Sequence, residues 1–97
     1  MFSGSKIAHL NFVGDSILGS GVNVEAGAVI ANYRNEQEDK NICILYEDAV
    51  LDTNVEKFGA LMGDGTKVGA NAVVAPGAIF PPNSKVGRLQ LIDQRPW

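Results

Sequence analysis

The stretch Met62-Gly63-Asp64-Gly65-Thr66-Lys67, Val68-Gly69-Ala70-Asn71-Ala72-Val73, Val74-Ala75-Pro76-Gly77-Ala78-Ile79, Phe80-Pro81-Pro82-Asn83-Ser84-Lys85, Val86-Gly87-Arg88-Leu89-Gln90-Leu91 reads in sixes. The first place is always apolar: Met62, Val68, Val74, Phe80, Val86. The second place holds Gly, Gly, Ala, Pro and Gly. The fifth holds Thr66, Ala72, Ala78 and Ser84, and the rule fails at Gln90. A period of six is neither that of a helix nor that of an alternating strand. It is the mark of a solenoid, whose repeats cannot bury an apolar side alone and stack on their neighbours. In such a coil a short strand sends one large aliphatic group inward. The small fifth residue points into a corner with little room. Gly and Asn at the bends accept positive φ at low cost.

The ladder extends backwards. Ile30, Val24, Leu18 and Phe12 sit six apart, with Lys6 in the place before them. Ser16, Val22 and Ala28 are their fifth-place partners. About ten hexads result, on the order of three coils, which is short for a solenoid. So short a prism exposes much side and end, and a partner surface is expected. Between Ile30 and Met62 the register breaks. Arg34-Asn35-Glu36-Gln37-Glu38-Asp39-Lys40-Asn41 is a charged turn, and Ile42-Cys43-Ile44-Leu45-Tyr46 is strongly β-prone. Residues 34–56 therefore read as an inserted arm, a β-hairpin ejected from one corner; a solvated loop is the alternative. Residues 89–97 read as a tail that leaves the repeat, where Pro96 ends any strand. Leu91, Ile92 and Trp97 are candidates to cover the open end of the prism, an unpaired sheet edge.

Composition sets outer bounds. Ninety-seven residues make one domain, 1–97. Lys and Arg number 8 against 11 Asp and Glu, a net charge of −3, which argues against a nucleic-acid partner. Cys43 stands alone, so neither a disulfide framework nor a cysteine metal cluster is expected. The apolar runs are too short to span a bilayer, so no membrane role is expected. The N-terminus lacks the apolar core of a secretion signal, so a cytoplasmic location is expected.

The six-residue pattern resembles the hexapeptide repeat of the left-handed parallel β-helix family. The resemblance implies an all-β, single-stranded left-handed parallel β-helix with an inserted β-hairpin arm, and a homotrimer. It narrows at Gly4-Ser5-Lys6-Ile7-Ala8-His9-Leu10-Asn11-Phe12-Val13-Gly14-Asp15, Val22-Asn23-Val24-Glu25-Ala26-Gly27-Ala28-Val29-Ile30-Ala31-Asn32-Tyr33 and Lys57-Phe58-Gly59-Ala60-Leu61-Met62-Gly63-Asp64. These segments resemble the acetyltransferase domain of the bifunctional sugar-1-phosphate nucleotidylyltransferases, archaeal type. Those enzymes couple glucosamine-1-phosphate N-acetylation with uridylyl transfer. The resemblance implies an N-acyltransferase with acetyl-CoA as co-substrate and an amino-sugar phosphate or similar amine as acceptor.

It also assigns roles. His9 matches the catalytic His, a base whose pKa suits neutral pH. Asn32 matches a residue that positions acceptor or acetyl group. Tyr33 stands near the donor's pantetheine arm. Lys57 and Asn23 match residues at the acceptor, and Ala70 and Gly87 lie in coils that border the donor. Phe12 takes a substrate-contacting place where the family has Tyr, so a hydroxyl is lost. The family's basic residues for the sugar phosphate come from coils upstream of the His, and Lys6 or Arg34 could stand in for them.

Structural readings stand beside these. Asn23 and Asn32 fall where solenoid bends favour Asn. Tyr33 could be only the hinge of the arm, and Lys57 only solvent charge. Asp15 and Asp64 read as corner residues, not acid or base. No Gly-rich dinucleotide signature occurs, so nucleotidyl transfer by this chain is not expected. With one His, a three-His metal site of the carbonic-anhydrase type is not expected either. The alternative to an enzyme is a non-catalytic trimeric module for binding or assembly.

Overall fold

The computed structural model describes residues 1–8 and 10–94. All its regular elements are short strands, wound as coils. The first coil holds β1 (Lys6–Ile7), β2 (Phe12–Val13) and β3 (Ile17–Leu18). The second holds β4 (Asn23–Val24) and β5 (Val29–Ile30), then an arm with β6 (Cys43–Tyr46) and β7 (Ala49–Asp52), then β8 (Ala60–Met62). The third holds β9 (Lys67–Val68), β10 (Val73–Val74) and β11 (Ala78–Phe80). The fourth contributes β12 (Lys85–Val86) and β13 (Leu91–Ile92).

Coil on coil, the strands pair in parallel into three faces. The first face is β1-β4-β9-β12, the second β2-β5-β10-β13, the third β3-β8-β11. This is the parallel solenoid that the hexads predict. One residue of each rung points inward. Val24, Ile30, Val68 and Val74 are fully buried in one column, with Leu18, Met62, Phe80 and Val86 almost so. The fifth-place residues Val22, Ala28, Thr66, Ala72 and Ala78 are buried too. Their small size lets the corners close without a void.

The ladder departs from the six-residue reading at its start. Val13, not Phe12, packs toward the core, and Phe12 faces out with half of its surface exposed. The cause is a short corner. Val13 and Leu18 are five residues apart rather than six, so the first two rungs shift by one and Lys6 also faces out. At the other end, Leu91–Ile92 still forms a rung, with Ile92 packed on the core. The repeat therefore runs past residue 89. Gln90 breaks the fifth-place rule because its side chain closes the bend instead, its Oε1 accepting the Gly87 N–H at 2.8 Å. Trp97 lies outside the described residues.

Corners carry the backbone cost of the winding. From first to second face, Leu10, Gly27, Asn71 and Leu89 each have positive φ. At Gly27 the reason is visible. A Cβ there would collide with Asn71 Oδ1 of the next coil. Gly59 meets a stricter limit, since its Cβ would collide with the Gly14 carbonyl and with Ser16 Oγ. Ser16 Oγ instead accepts the Ala60 N–H at 2.9 Å, which seats the chain as it re-enters the prism.

The arm is an antiparallel hairpin, Cys43↔Asp52 to Tyr46↔Ala49. Glu47 and Asp48 both have positive φ, as a two-residue turn requires. Its base is held by Ile42, which is fully buried and bonds Val55 and Thr53 through its backbone. Gly77 lies under it, where a Cβ would come within 2.5 Å of the Cys43 carbonyl. The open edge of the third face is covered by one side chain. Gln94 accepts the Ile79 N–H at 3.1 Å and donates to its carbonyl at 3.0 Å, as a further strand would.

Candidate functional site

Outward positions divide sharply by face. The second face presents Phe12, Val29, Val73 and Leu91, stacked in register. Phe12, Val73 and Leu91 are 51%, 40% and 67% exposed. An exposed apolar ladder of this kind on a small chain marks an interaction surface. The third face presents Ile17, Leu61 and Ile79. The first presents Lys6, Asn23, Lys67 and Lys85.

Six of the residues singled out from the sequence lie beside the two edges of the second face. At the edge shared with the first face are Ala70 and Gly87, with Asn23 facing outward on the first face beside them. Asn23 and Gly87 line a groove of 310 Å³. Ala70 borders it, its N–H donating to Glu25 Oε1 at 3.0 Å. Glu25 also pairs with Arg88 at 3.2 Å across two coils. The small side chains of this corner, Ala26, Ala70 and Gly87, leave a low wall beside the second face.

At the edge shared with the third face are Asn32, Tyr33 and Lys57. Asn32 follows β5 directly, so the strand fixes its backbone. Its side-chain N–H donates to Asp15 Oδ2 at 2.6 Å, and its backbone carbonyl accepts the Phe58 N–H at 2.9 Å. Gly14 makes room, because a Cβ there would press on the Asn32 amide at 2.5 Å. Asp15, read from sequence as a corner residue, is one, with φ +42°. It also orients Asn32, which the sequence reading missed. Asp64 is likewise structural, since its Oδ1 accepts the Ser20 N–H at 2.8 Å. Lys57 is exposed beside Phe58. Tyr33 is partly exposed, with Lys40 Nζ over its ring at 5.7 Å.

Within one chain these two groups do not meet, because the strands of the second face lie between them. Phe12 sits on that face itself. His9 lies outside the described residues.

Arg34 does not serve a ligand. It is buried, and its guanidinium makes two bonds to Asp93, of 2.9 and 2.7 Å, and one to the Pro76 carbonyl at 3.3 Å. The Asp93 hydrogen bond raises its pKa further, against the opposing pull of burial. The expectation that Arg34 could hold a sugar phosphate is therefore corrected. It ties the root of the arm to the fourth coil. Among the described residues, no group of three or more His, Cys, Asp or Glu could hold a metal ion. No helix among them is long and apolar enough to cross a membrane.

No family model matches the chain. Individual proteins do. It is 37% identical over 90 residues, 93% of its length, to the bifunctional protein GlmU of Methanococcus vannielii. It is 34% identical over 77 residues, 79% of its length, to a bifunctional sugar-1-phosphate nucleotidylyltransferase/acetyltransferase of Sulfurisphaera tokodaii. It is 38% identical over 86 residues, 89% of its length, to the bifunctional protein GlmU of Saccharophagus degradans. The chain resembles the C-terminal acetyltransferase region of these bifunctional proteins. It spans only about a fifth of their length: 21%, 19% and 18% respectively.

Proposed function

We propose that the chain forms the acyl-transfer part of an acetyl-CoA-dependent N-acyltransferase acting on an amino-sugar phosphate or similar amine. Its active site lies between subunits of a left-handed homotrimer. One observation carries this reading. The two groups of candidate residues flank an exposed apolar face from opposite edges. A threefold axis along that face buries Phe12, Val29, Val73 and Leu91. It also brings the Asn23–Ala70–Gly87 edge of one copy against the Asn32–Tyr33–Lys57 edge of the next.

In this seam the acceptor amine attacks the thioester carbonyl of acetyl-CoA. His9 removes the amine proton as the C–N bond forms, and returns it to the departing thiolate as the C–S bond breaks. Asn32, held by Asp15, donates from a fixed position toward acceptor or acetyl oxygen. Lys57 and Asn23 hold the acceptor. Tyr33, Ala70 and Gly87 line the path of the donor.

The direct test is thiol release from acetyl-CoA in the presence of glucosamine 1-phosphate. His9→Ala is expected to lower the rate by roughly 10²–10⁴-fold. Equal rates in the two proteins would sink the assignment of His9. A second prediction concerns assembly. Val73→Glu puts a carboxylate at the centre of the apolar ladder, between Val29 and Leu91. Light scattering is expected to show a monomer, far-UV circular dichroism an intact solenoid, and the assay no turnover. A Val73→Glu protein that stays oligomeric would mean another face is buried.

Phe12 favours one alternative, a trimeric binding module without turnover, because the hydroxyl the family places there is missing. A thermal-shift experiment separates the two. Acetyl-CoA at a hundred times its dissociation constant stabilises a binder by about 2.7 kcal/mol. No shift at millimolar acetyl-CoA favours the module.

A further inference from the structure

The chain is acidic overall, yet its charges are not mixed. Seven of the 11 acidic residues fall in residues 34–56, opposed there only by Arg34 and Lys40. Three of the remaining lysines, Lys6, Lys67 and Lys85, occupy outward positions on the first face. Every outward strand position on the other two faces is apolar. Lys67 and Lys85 stand directly opposite each other in a parallel pair, about 4.8 Å apart along the stack. Like charges directly opposite on neighbouring strands oppose folding. A solenoid with no ligand to place there gains nothing from the arrangement.

Among the described residues the three amines and the Asn23 amide make no ion pair or hydrogen bond. Glu25, the carboxylate in the groove between them, is already taken by Arg88 and by the Ala70 N–H. Gly69 and Gly87 line the groove. A Cβ on Gly69 would press on the backbone of Arg88, at 2.6 Å from its nitrogen. Lys67 and Lys85 line it together with Asn23 and Arg88.

We propose that this groove is a binding site for the phosphate groups of a small ligand. Amines one rung apart can straddle a single phosphate or take one phosphate each of a diphosphate. The Asn23 amide and the Arg88 guanidinium offer further donors. The carrier of the phosphate is a sugar phosphate or the nucleotide end of an acyl donor; only that choice of carriers rests on the acyl-transfer reading.

The test is a titration of the ¹⁵N-labelled full chain at low ionic strength, following the Gly69 and Gly87 amide resonances. The probes are inorganic pyrophosphate, adenosine 3′,5′-bisphosphate and glucosamine 1-phosphate. Saturable shifts are expected with a dissociation constant of about 1 mM or below. Lys67→Met with Lys85→Met, both solvent-facing changes, is expected to weaken binding about tenfold. Lys40→Met, in the arm, is expected to leave it unchanged. Tighter binding of the nucleotide assigns the groove to the donor, and tighter binding of the sugar phosphate assigns it to the acceptor. Absence of saturation with all three probes overturns the proposal, as does equal binding by the double variant. So does a result in which Lys67→Glu with Lys85→Glu dissolves the assembly while pyrophosphate leaves the wild-type amides unmoved, since the face would then be a protein contact. A saturating groove with no thiol release sinks acyl transfer alone. Thiol release with a silent groove sinks this site alone.

Discussion

Asp93→Ala is expected to destabilise the chain by about 3 kcal/mol, and to do so more than Arg34→Ala. The asymmetry follows from burial. The Arg34 side chain is 6% exposed and that of Asp93 is 37% exposed. Removing Asp93 leaves a guanidinium inside the protein whose other partners, among the described residues, are the Pro76 carbonyl and a 3.5 Å contact to Glu36. Removing Arg34 takes one partner from a carboxylate that is already more than a third open to water, at a cost of about 1–2 kcal/mol. For a chain of this size each kcal/mol moves the melting temperature by roughly 4–8 °C. Thermal melts of the two variants at one protein concentration check the ordering. The apolar pair Arg34→Met with Asp93→Leu is expected to recover most of the loss, because an uncompensated charge is the main cost. Equal losses in the single variants would mean that the arm is held by Ile42 and the hairpin base, not by the ion pair.

That lock is not legible in the sequence, for a physical reason. Arg34 and Asp93 are 59 residues apart and belong to no repeat. Their pairing depends on where the arm leaves the prism, and composition is silent on that. The inner column is legible because burial imposes a strict period on Val68, Val74 and Phe80. The first coil misleads because one corner is a residue short. A deletion at a bend costs little in backbone terms, yet it flips the facing of both rungs before it, and Phe12 moves from core to surface. The hairpin is legible from β-branched and aromatic content alone. Asp15 as the partner of Asn32 is not, because a Gly-Asp pair is common at bends whether or not it orients anything. The lysine ladder does leave a signal. Lys67 and Lys85 are 18 residues apart, one full coil of three hexads, and a search at that period aligns them.

Two inactive variants are expected to recover activity when mixed, and this is the sharpest consequence of the seam. Asn23→Ala damages the edge shared by the first and second faces. Asn32→Ala damages the edge shared by the second and third, where its bond to Asp15 is lost. If each site joins the first edge of one copy to the second edge of the next, a pure trimer of either variant has no whole site. In any mixed trimer, going once round the ring gives one seam where both contributing edges are intact. Refolding the two variants together in equal amounts makes about three quarters of the trimers mixed, so about a quarter of all sites are whole. Thiol release is therefore expected to rise from near zero to about a quarter of the wild-type rate on co-refolding. Mixing the already folded variants should give no rise until subunits exchange. A site contained within one chain gives a different result, because no mixture of these two proteins can then repair it. Activity that stays at the level of the separate variants, in trimers verified as mixed by mass, would rule out the shared seam.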